Sequence, residues 1–274
     1  MPELPEVETV RRGLHPRIVG RRFEAVEVRE RRLRRQVDTA RLRRGVCGRR
    51  VEDLTRRGKY LLIHLEGEQR LLIHLGMSGR LLLVPAGEPF ESHVHVCFDI
   101  EGGLQLRFRD HRRFGLVEAM SSSSLNKDSR LSQLGVEPLS RACTARYFYE
   151  RARGRKRPVK NFLMDARQVV GVGNIYASEA LFLAGIHPLR AAGRISAPSW
   201  ERLTRAVKRV LRDAIRQGGT TLSDFRDVNG EAGYFQVRLR VYGREGEDCP
   251  RCQGTIRRRV LAGRSSFYCS GCQR

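Results

Sequence analysis

The sequence predicts an α+β chain with an N-terminal helix, an antiparallel β-sandwich, two helices around a short two-turn connection, and a C-terminal cysteine ribbon. Three observations carry this. Strand-like apolar runs and alternating stretches separated by hairpin-like turns fill the segment from about Arg22 to Met120; the periodicity becomes helical beyond the polar run Ser121 to Ser132; and four of the seven cysteines form two Cys-x2-Cys pairs near the C-terminus.

Each element has its own signal. Pro2, Pro5 and the glutamates among the first eight residues suit the first turn of a short helix, with Arg11 and Arg12 suited to its end. Tyr60 to Leu65, Leu71 to Leu75 and Leu81 to Val84 read as strands. Val94, Val96, Phe98 and Ile100 alternate, Gly102-Gly103 turns, and Leu104, Leu106 and Phe108 alternate again. The run Ser121 to Ser132 reads as a linker. Asn174 to Ala184 reads as a helix stopped by Gly185 and Pro188. Ser196 caps a longer one that places Leu203, Val207, Val210, Leu211, Ala214 and Ile215 on one face before Gly218-Gly219. The expected domains are 1–125, 126–240 and 241–274.

A chain of 274 residues, 40% of them hydrophobic, can bury a core in each large domain. Lys and Arg number 53 against 30 acidic residues, a net +23 spread along the chain, with a pI near 11.0. That field favours a polyanionic partner. No stretch approaches the roughly 20 apolar residues of a membrane span, and the acidic start is unlike a signal peptide, so a cytoplasmic protein is expected.

Cys249 and Cys252, then sixteen residues, then Cys269 and Cys272 have the spacing of a four-thiolate zinc site. Four protein ligands leave no open position, so one structural Zn²⁺ is expected. Cys47, Cys97 and Cys143 read as inert thiols. Between the knuckles two strand-like pieces meet near Gly263, so Arg264 projects from a braced hairpin where it suits phosphate contact. The ribbon alone says only nucleic acid.

Pro2 directly follows Met1, and removal of the methionine leaves a free secondary amine. Near pH 7.5 roughly a third of α-amines are neutral against about one lysine in a thousand, which makes such an amine a usable nucleophile. Its iminium cannot lose an N-proton and so acts as an electron sink. Glu3 and Glu6 lie close enough in sequence for acid/base help. Residue types alone favour the plainer role of a helix first turn.

The run Pro2 to Gly13 resembles the start of the bacterial formamidopyrimidine-DNA glycosylase (8-oxoguanine DNA glycosylase) family. The resemblance continues through Arg57-Gly58-Lys59-Tyr60, His74-Leu75-Gly76-Met77-Ser78-Gly79, Arg112-Arg113-Phe114-Gly115, Gly171 to Glu179 and the ribbon, in family order. It implies a bifunctional glycosylase and abasic-site lyase for oxidised purines in damaged double-stranded DNA, monomeric and nucleoid-associated in bacteria, needing no nucleotide cofactor and no membrane. Pro2 would attack C1′, Glu3 would donate a proton during base release, and Glu6 would support. Lys59 would serve β-elimination and Arg264 δ-elimination.

Asn174 would bind phosphate at a helix N-terminus, a plain N-cap being the alternative. Met77, Arg112 and Phe114 would fill the space left by the extruded nucleotide, although Met77 and Phe114 alone read as core. His93 and Arg155 would add DNA contacts. The stretch Gly218 to Tyr234 would close over the extruded purine. His111 and Val94 depart from the family's common Pro and Asp. The competing expectations are an endonuclease VIII-like enzyme for oxidised pyrimidines and a non-catalytic zinc-ribbon DNA-binding protein.

Overall fold

A computed structural model describes residues 2–219 and 239–274. Helix α1 (Leu4–Ile18) is longer than the sequence predicts and runs past Arg11 and Arg12, because Leu4, Val7, Val10, Leu14 and Ile18 recur at helical spacing and are all buried. Each of these side chains contributes about 1.5–3 kcal/mol on burial.

Strands β1 (Phe23–Val28) and β2 (Val51–Arg57) are separated by helix α2 (Thr39–Val46), which the strand reading of this region missed. Asp38 caps α2 by accepting from the Arg41 amide at 2.9 Å, and Leu42 and Val46 anchor it in the core. Strands β3 (Tyr60–Leu65), β4 (Gln69–His74), β5 (Arg80–Pro85), β6 (Val94–Ile100), β7 (Leu104–Arg109) and β8 (Leu116–Ser121) follow. The strand order is β1-β6-β7-β5 in one sheet and β2-β3-β4-β8 in the other, with every pairing antiparallel. Residues from all eight strands, α1 and α2 share one hydrophobic core, as a sandwich requires.

Besides the crossing from β1 to β2 through α2, the chain changes sheets at two tighter corners, between β4 and β5 and between β7 and β8. His74 pairs with Leu116 and Arg80 with Arg109, so both corners lie at one end of the sandwich. The polar run read as a linker instead forms two short helices, α3 (Ser122–Asn126), capped by Ser121, and α4 (Ser129–Ser132). Leu125 and Leu131 give it an apolar foothold against Leu62, Leu72 and Met120.

The chain folds as two compact units, the first comprising the residues up to Ser132 and, among the later described residues, Gly218 and Gly219, and the second running Gln133–Gln217 and resuming through the C-terminal ribbon. The second unit contains α5 (Ala145–Ala152), α6 (Val159–Leu163), α7 (Asn174–Ala184) and α8 (Ala197–Arg216). Its core centres on Trp200, stacked on Phe148 with ring centroids 5.4 Å apart. Helix α7 ends at Gly185 in the left-handed region and α8 begins at the Ser196 cap, both as the sequence predicts.

The ribbon hairpin is β9 (Ile256–Leu261) and β10 (Arg264–Cys269), joined by Ala262 and Gly263 at positive φ in a two-residue turn. It is sewn to the end of α7: the Arg274 amide donates to the Gly185 carbonyl at 3.1 Å, and Gln273 Nε2 to the Ile186 carbonyl at 2.8 Å.

Candidate active site

At the N-terminus, Pro2 is half-buried and immediately precedes the N-cap of α1. Glu3 is that cap, outside the helix rather than on a helical face with Glu6. Its amide donates to Glu6 Oε2 at 2.8 Å in the reciprocal arrangement of a capping box. Glu3 and Glu6 are only 2% and 3% exposed, so two buried acids follow a partly accessible proline. Glu6 also lies beside the main chain of Gly219, where an added Cβ would stand 3.1 Å from Oε1.

Helix α1 runs antiparallel to β2. Glu8 pairs with Arg56 at 3.2 Å, Arg11 donates to the Leu54 carbonyl at 3.3 Å, and His15 meets Asp53 at 3.1 Å. The N-terminus of α1 therefore points toward the β2–β3 turn, where half-buried Lys59 follows Gly58. Burial pushes the neighbouring His74 down to about 4, and the Arg34 and Lys59 cations add to the effect. Neutral His74 accepts from the Gly76 amide through Nδ1 at 2.9 Å.

The two sheet-crossing corners carry the next group. Met77 and Phe114 are 37% and 46% exposed, which removes the core reading of both. The Arg112 guanidinium carbon lies 4.9 Å from the centre of the Phe114 ring. Arg34, His74, Gly76, Met77 and Phe114 line a cavity of about 220 Å³.

Asp110 ties the corners together. Its carboxylate accepts from Ser78 Oγ at 2.6 Å, the Gly115 amide at 2.7 Å and the Arg112 amide at 3.3 Å, while its carbonyl meets His95 Nε2 at 2.7 Å. At Gly76 (φ +66°) a Cβ would stand 2.5 Å from the Phe114 carbonyl carbon, so only glycine permits this approach. Exposed His93 joins the same end through its carbonyl, which accepts from the Asp110 amide at 3.0 Å, and its ring lies 5.6 Å from that of His111.

In the second unit Asn174 is the first residue of α7 and Gly173 is the N-cap, which corrects the plain-cap alternative. Asn174 Oδ1 is buried with no partner among the described residues, and Nδ2 is 3.5 Å from the Tyr242 hydroxyl. Arg155 is exposed in the loop after α5, and Arg264 is exposed at the first position of β10. Lys160, fully buried, donates to the Ser265 carbonyl at 2.8 Å and to Ser266 Oγ at 2.7 Å, which fixes the strand that carries Arg264.

The four ribbon cysteines bring their sulfurs within 4.8 Å of one another, with Cys249 to Cys272 at 3.8 Å and Cys252 to Cys269 at 3.5 Å. Tetrahedral thiolates around zinc stand about 3.8 Å apart, so this donor set fits one Zn²⁺. Burial pushes the Cys97 and Cys143 thiols up to about 11, as suits inert thiols.

Sequence reasoning missed Asp110, Lys160 and Glu179. Buried Glu179 accepts from the amides of Arg240, Val241 and Tyr242 at 2.9, 2.9 and 3.0 Å and so holds the entry to the ribbon. Glu179 is signalled by a charge within the apolar run Ile175 to Ala184, whereas Asp110 and Lys160 sit among basic residues that hide them. The loop assigned to purine closure lies, from Thr220 onward, outside the described residues.

Three family models match the chain: the formamidopyrimidine-DNA glycosylase N-terminal domain over residues 1–117, its H2TH domain over 134–226, and the zinc finger found in FPG and IleRS over 246–274. Among curated proteins, the formamidopyrimidine-DNA glycosylases of Magnetococcus marinus and Acidithiobacillus ferrooxidans are 48% and 50% identical over the full length of both chains. Among solved structures, a Lactococcus lactis FPG mutant in complex with Fapy-dG-containing DNA is similar at TM-score 0.91 and 33% identity over all of both chains. The Thermus thermophilus MutM (FPG) protein is similar at TM-score 0.88 and 42% identity, covering 99% of this chain and 98% of its own.

Proposed function

The chain belongs to the formamidopyrimidine-DNA glycosylase family, and we propose how its own residues carry out the excision of oxidised purines from damaged duplex DNA. Full-length likeness to enzymes of that name sets aside the pyrimidine-specific and non-catalytic alternatives. The observation that carries the residue assignment is the half-buried Pro2 immediately ahead of a capping box in which Glu3 and Glu6 are both buried.

Once Met1 is removed, the Pro2 nitrogen bonds to C1′ of the lesion while the glycosidic bond breaks, its electron pair leaving with the base. Glu3 gives a proton to the departing side, and Glu6 keeps the N-cap in place. Breakage of the C1′–O4′ bond, with O4′ leaving as a hydroxyl, then opens the sugar to an iminium; loss of a C2′ proton expels the 3′ phosphate, and loss of a C4′ proton expels the 5′ phosphate. Lys59 stabilises the first leaving phosphate and Arg264 the second.

Met77 and Phe114 enter the space left by the extruded nucleotide, and Arg112 offers donors to the unpaired base opposite. His93, Arg155 and Asn174 hold phosphates. Zn²⁺, when bound, braces the ribbon and supplies no chemistry to the bond-breaking steps. The division at 1–125, 126–240 and 241–274 is supported by the spans of the three family matches. Residence in the bacterial cytoplasm on nucleoid DNA follows from the substrate, and no described helix is long and apolar enough to cross a membrane.

Borohydride reduction during turnover tests the assignment. The native chain becomes covalently trapped on lesion DNA, whereas a chain that retains Met1 or carries a tag ahead of Pro2 does not. Glu3→Gln slows base release by about 10²- to 10⁴-fold yet still reacts with a preformed abasic site. Equal trapping with a blocked amine overturns the role of Pro2.

A further inference from the structure

The solvent face of α8 carries a basic groove that the proposed lesion chemistry does not use. A cavity of about 570 Å³ is lined by Arg202, Arg205, Lys208, Arg209, Arg212 and Arg251, with Leu183 and Ala206 as its apolar lining. Among the described residues, no acidic side chain lines it. Asp213 reaches only its edge, 3.8 Å from Arg209, and is shared with Arg216. Arg202 is held by Ser199 Oγ at 3.0 Å, Lys208 by the Ser140 carbonyl at 3.2 Å, and Arg251 by the carbonyls of Phe182 and Leu183 at 3.2 and 3.1 Å. These bonds orient the cations without neutralising them, because none of these acceptors is charged.

Arg202, Arg205, Arg209 and Arg212 follow one another at steps of three and four residues, so they form a single stripe opposite the buried face of α8. The stripe is about 15 Å long at 1.5 Å per residue. Phosphates on one DNA strand advance about 3.4 Å each, so the row spans about four of them. Guanidinium forks suit phosphate oxygens. A folded acidic protein would need a larger apolar anchor than Leu183 and Ala206 provide.

The groove also stands apart from the phosphate site assigned to α7. Leu183 is nine residues, about 14 Å, along that helix from Asn174. We propose that the α8 groove binds the backbone of a second, undamaged duplex segment while the first is engaged, letting the enzyme pass between segments without full release.

The test uses the zinc-loaded full chain saturated with a short duplex bearing an uncleavable tetrahydrofuran site. A second, labelled, undamaged duplex is then titrated in and followed by anisotropy and by two-colour co-capture. The native complex takes up the second duplex. Arg205→Ala/Arg209→Ala/Arg212→Ala weakens that uptake by about tenfold or more and lowers its log–log salt slope by about 2 to 3, while excision, first-duplex affinity and melting temperature stay as in the native chain. A control triple with the same charge loss elsewhere, Arg41→Ala/Arg44→Ala/Arg146→Ala, keeps native uptake. Absence of a ternary complex, equal loss in the control, or preference for a polyglutamate peptide over DNA in the groove overturns the proposal. Normal excision by the same protein preparations on a separate duplex carrying an excisable oxidised purine separates that failure from failure of the lesion chemistry.

Discussion

Asp110 and His74 do their work through the groups they hold. Asp110 distributes one carboxylate over Ser78 and the amides of Arg112 and Gly115, so a single side chain sets the relation between the Met77 corner and the Arg112–Phe114 corner. Asp110→Asn keeps the volume but replaces one acceptor oxygen with a donor that faces other donors. Excision from duplex DNA is expected to fall about 10- to 100-fold, by analogy with loss of groups that orient a site, while elimination at an abasic site in single-stranded DNA, which needs no wedge, is nearly unaffected. Single-turnover rates on both substrates check this, and equal loss on both argues against a positioning role. His74 is held down to about 4 by burial and by Arg34 and Lys59. Its folded value lies below the usual 6.5, so the unfolded chain takes up the proton first as pH falls. Its contribution to stability is complete above pH 6.5 and is lost between 6.5 and 4. By pH 5 the loss reaches up to about 2 kcal/mol. Calorimetric melting of the native chain and His74→Gln at pH 7 and pH 5 should show the smaller acid-induced drop in the variant, whose amide oxygen can still accept from Gly76.

Elements that carry little sequence of their own depend on what they are fastened to, and the ribbon is the clearest case. Its buried apolar cluster is Val241, Cys249, Ile256 and Cys269 together with Phe182 of α7, too few residues to fold a hairpin unaided. Chelation of zinc at neutral pH is therefore expected to melt the ribbon while the sandwich keeps its own transition, with four newly reactive thiols counted by a thiol reagent and loss of the elimination step assigned to Arg264. Ribbon circular dichroism that survives chelation would contradict this. The hairpin itself was legible because the cysteine spacing and Gly263 are local signals. So were α7 and α8, whose apolar period and Ser196 and Gly185 boundaries agree, strands β3 to β5, which are short apolar runs between turns, and β6 and β7, which alternate. Helix α2 was not, since eight residues rich in arginine present only Leu42 and Val46 to the core and sit between strands. The serine run failed for the converse reason: its composition is polar, and tertiary contacts of Leu125 and Leu131 make it helical. At the candidate site, motif residues such as Met77, Arg112 and Phe114 could be named from the sequence. Asp110 and Lys160 could not, because their importance lies in partners 32 and more than 100 residues away.

For the molecule as a whole, the net +23 is not held in one place, and its distribution decides how binding responds to salt. Many of the 53 cations are tied to internal partners: Arg11, Arg12 and Arg56 share Glu8, Arg130 bridges Asp128 and Glu118, and Arg157 and Arg167 share Asp165. Those pairs shape the fold and release no counterions when DNA binds. The groups assigned to the lesion duplex are fewer: Lys59, Arg155, Arg264 and the polar donors His93 and Asn174. With about three phosphates neutralised by Lys59, Arg155 and Arg264, log affinity for a short lesion duplex should fall against log salt with a slope of roughly −3, far shallower than the net charge alone would give. Undamaged DNA long enough to reach a second segment should give a steeper slope, because the α8 stripe adds its own contacts. Titration of both DNAs over a range of salt distinguishes the cases. A flat response on the short duplex would contradict phosphate binding at the lesion site, and identical slopes on short and long DNA would mean that the arginines of α8 meet no backbone in solution.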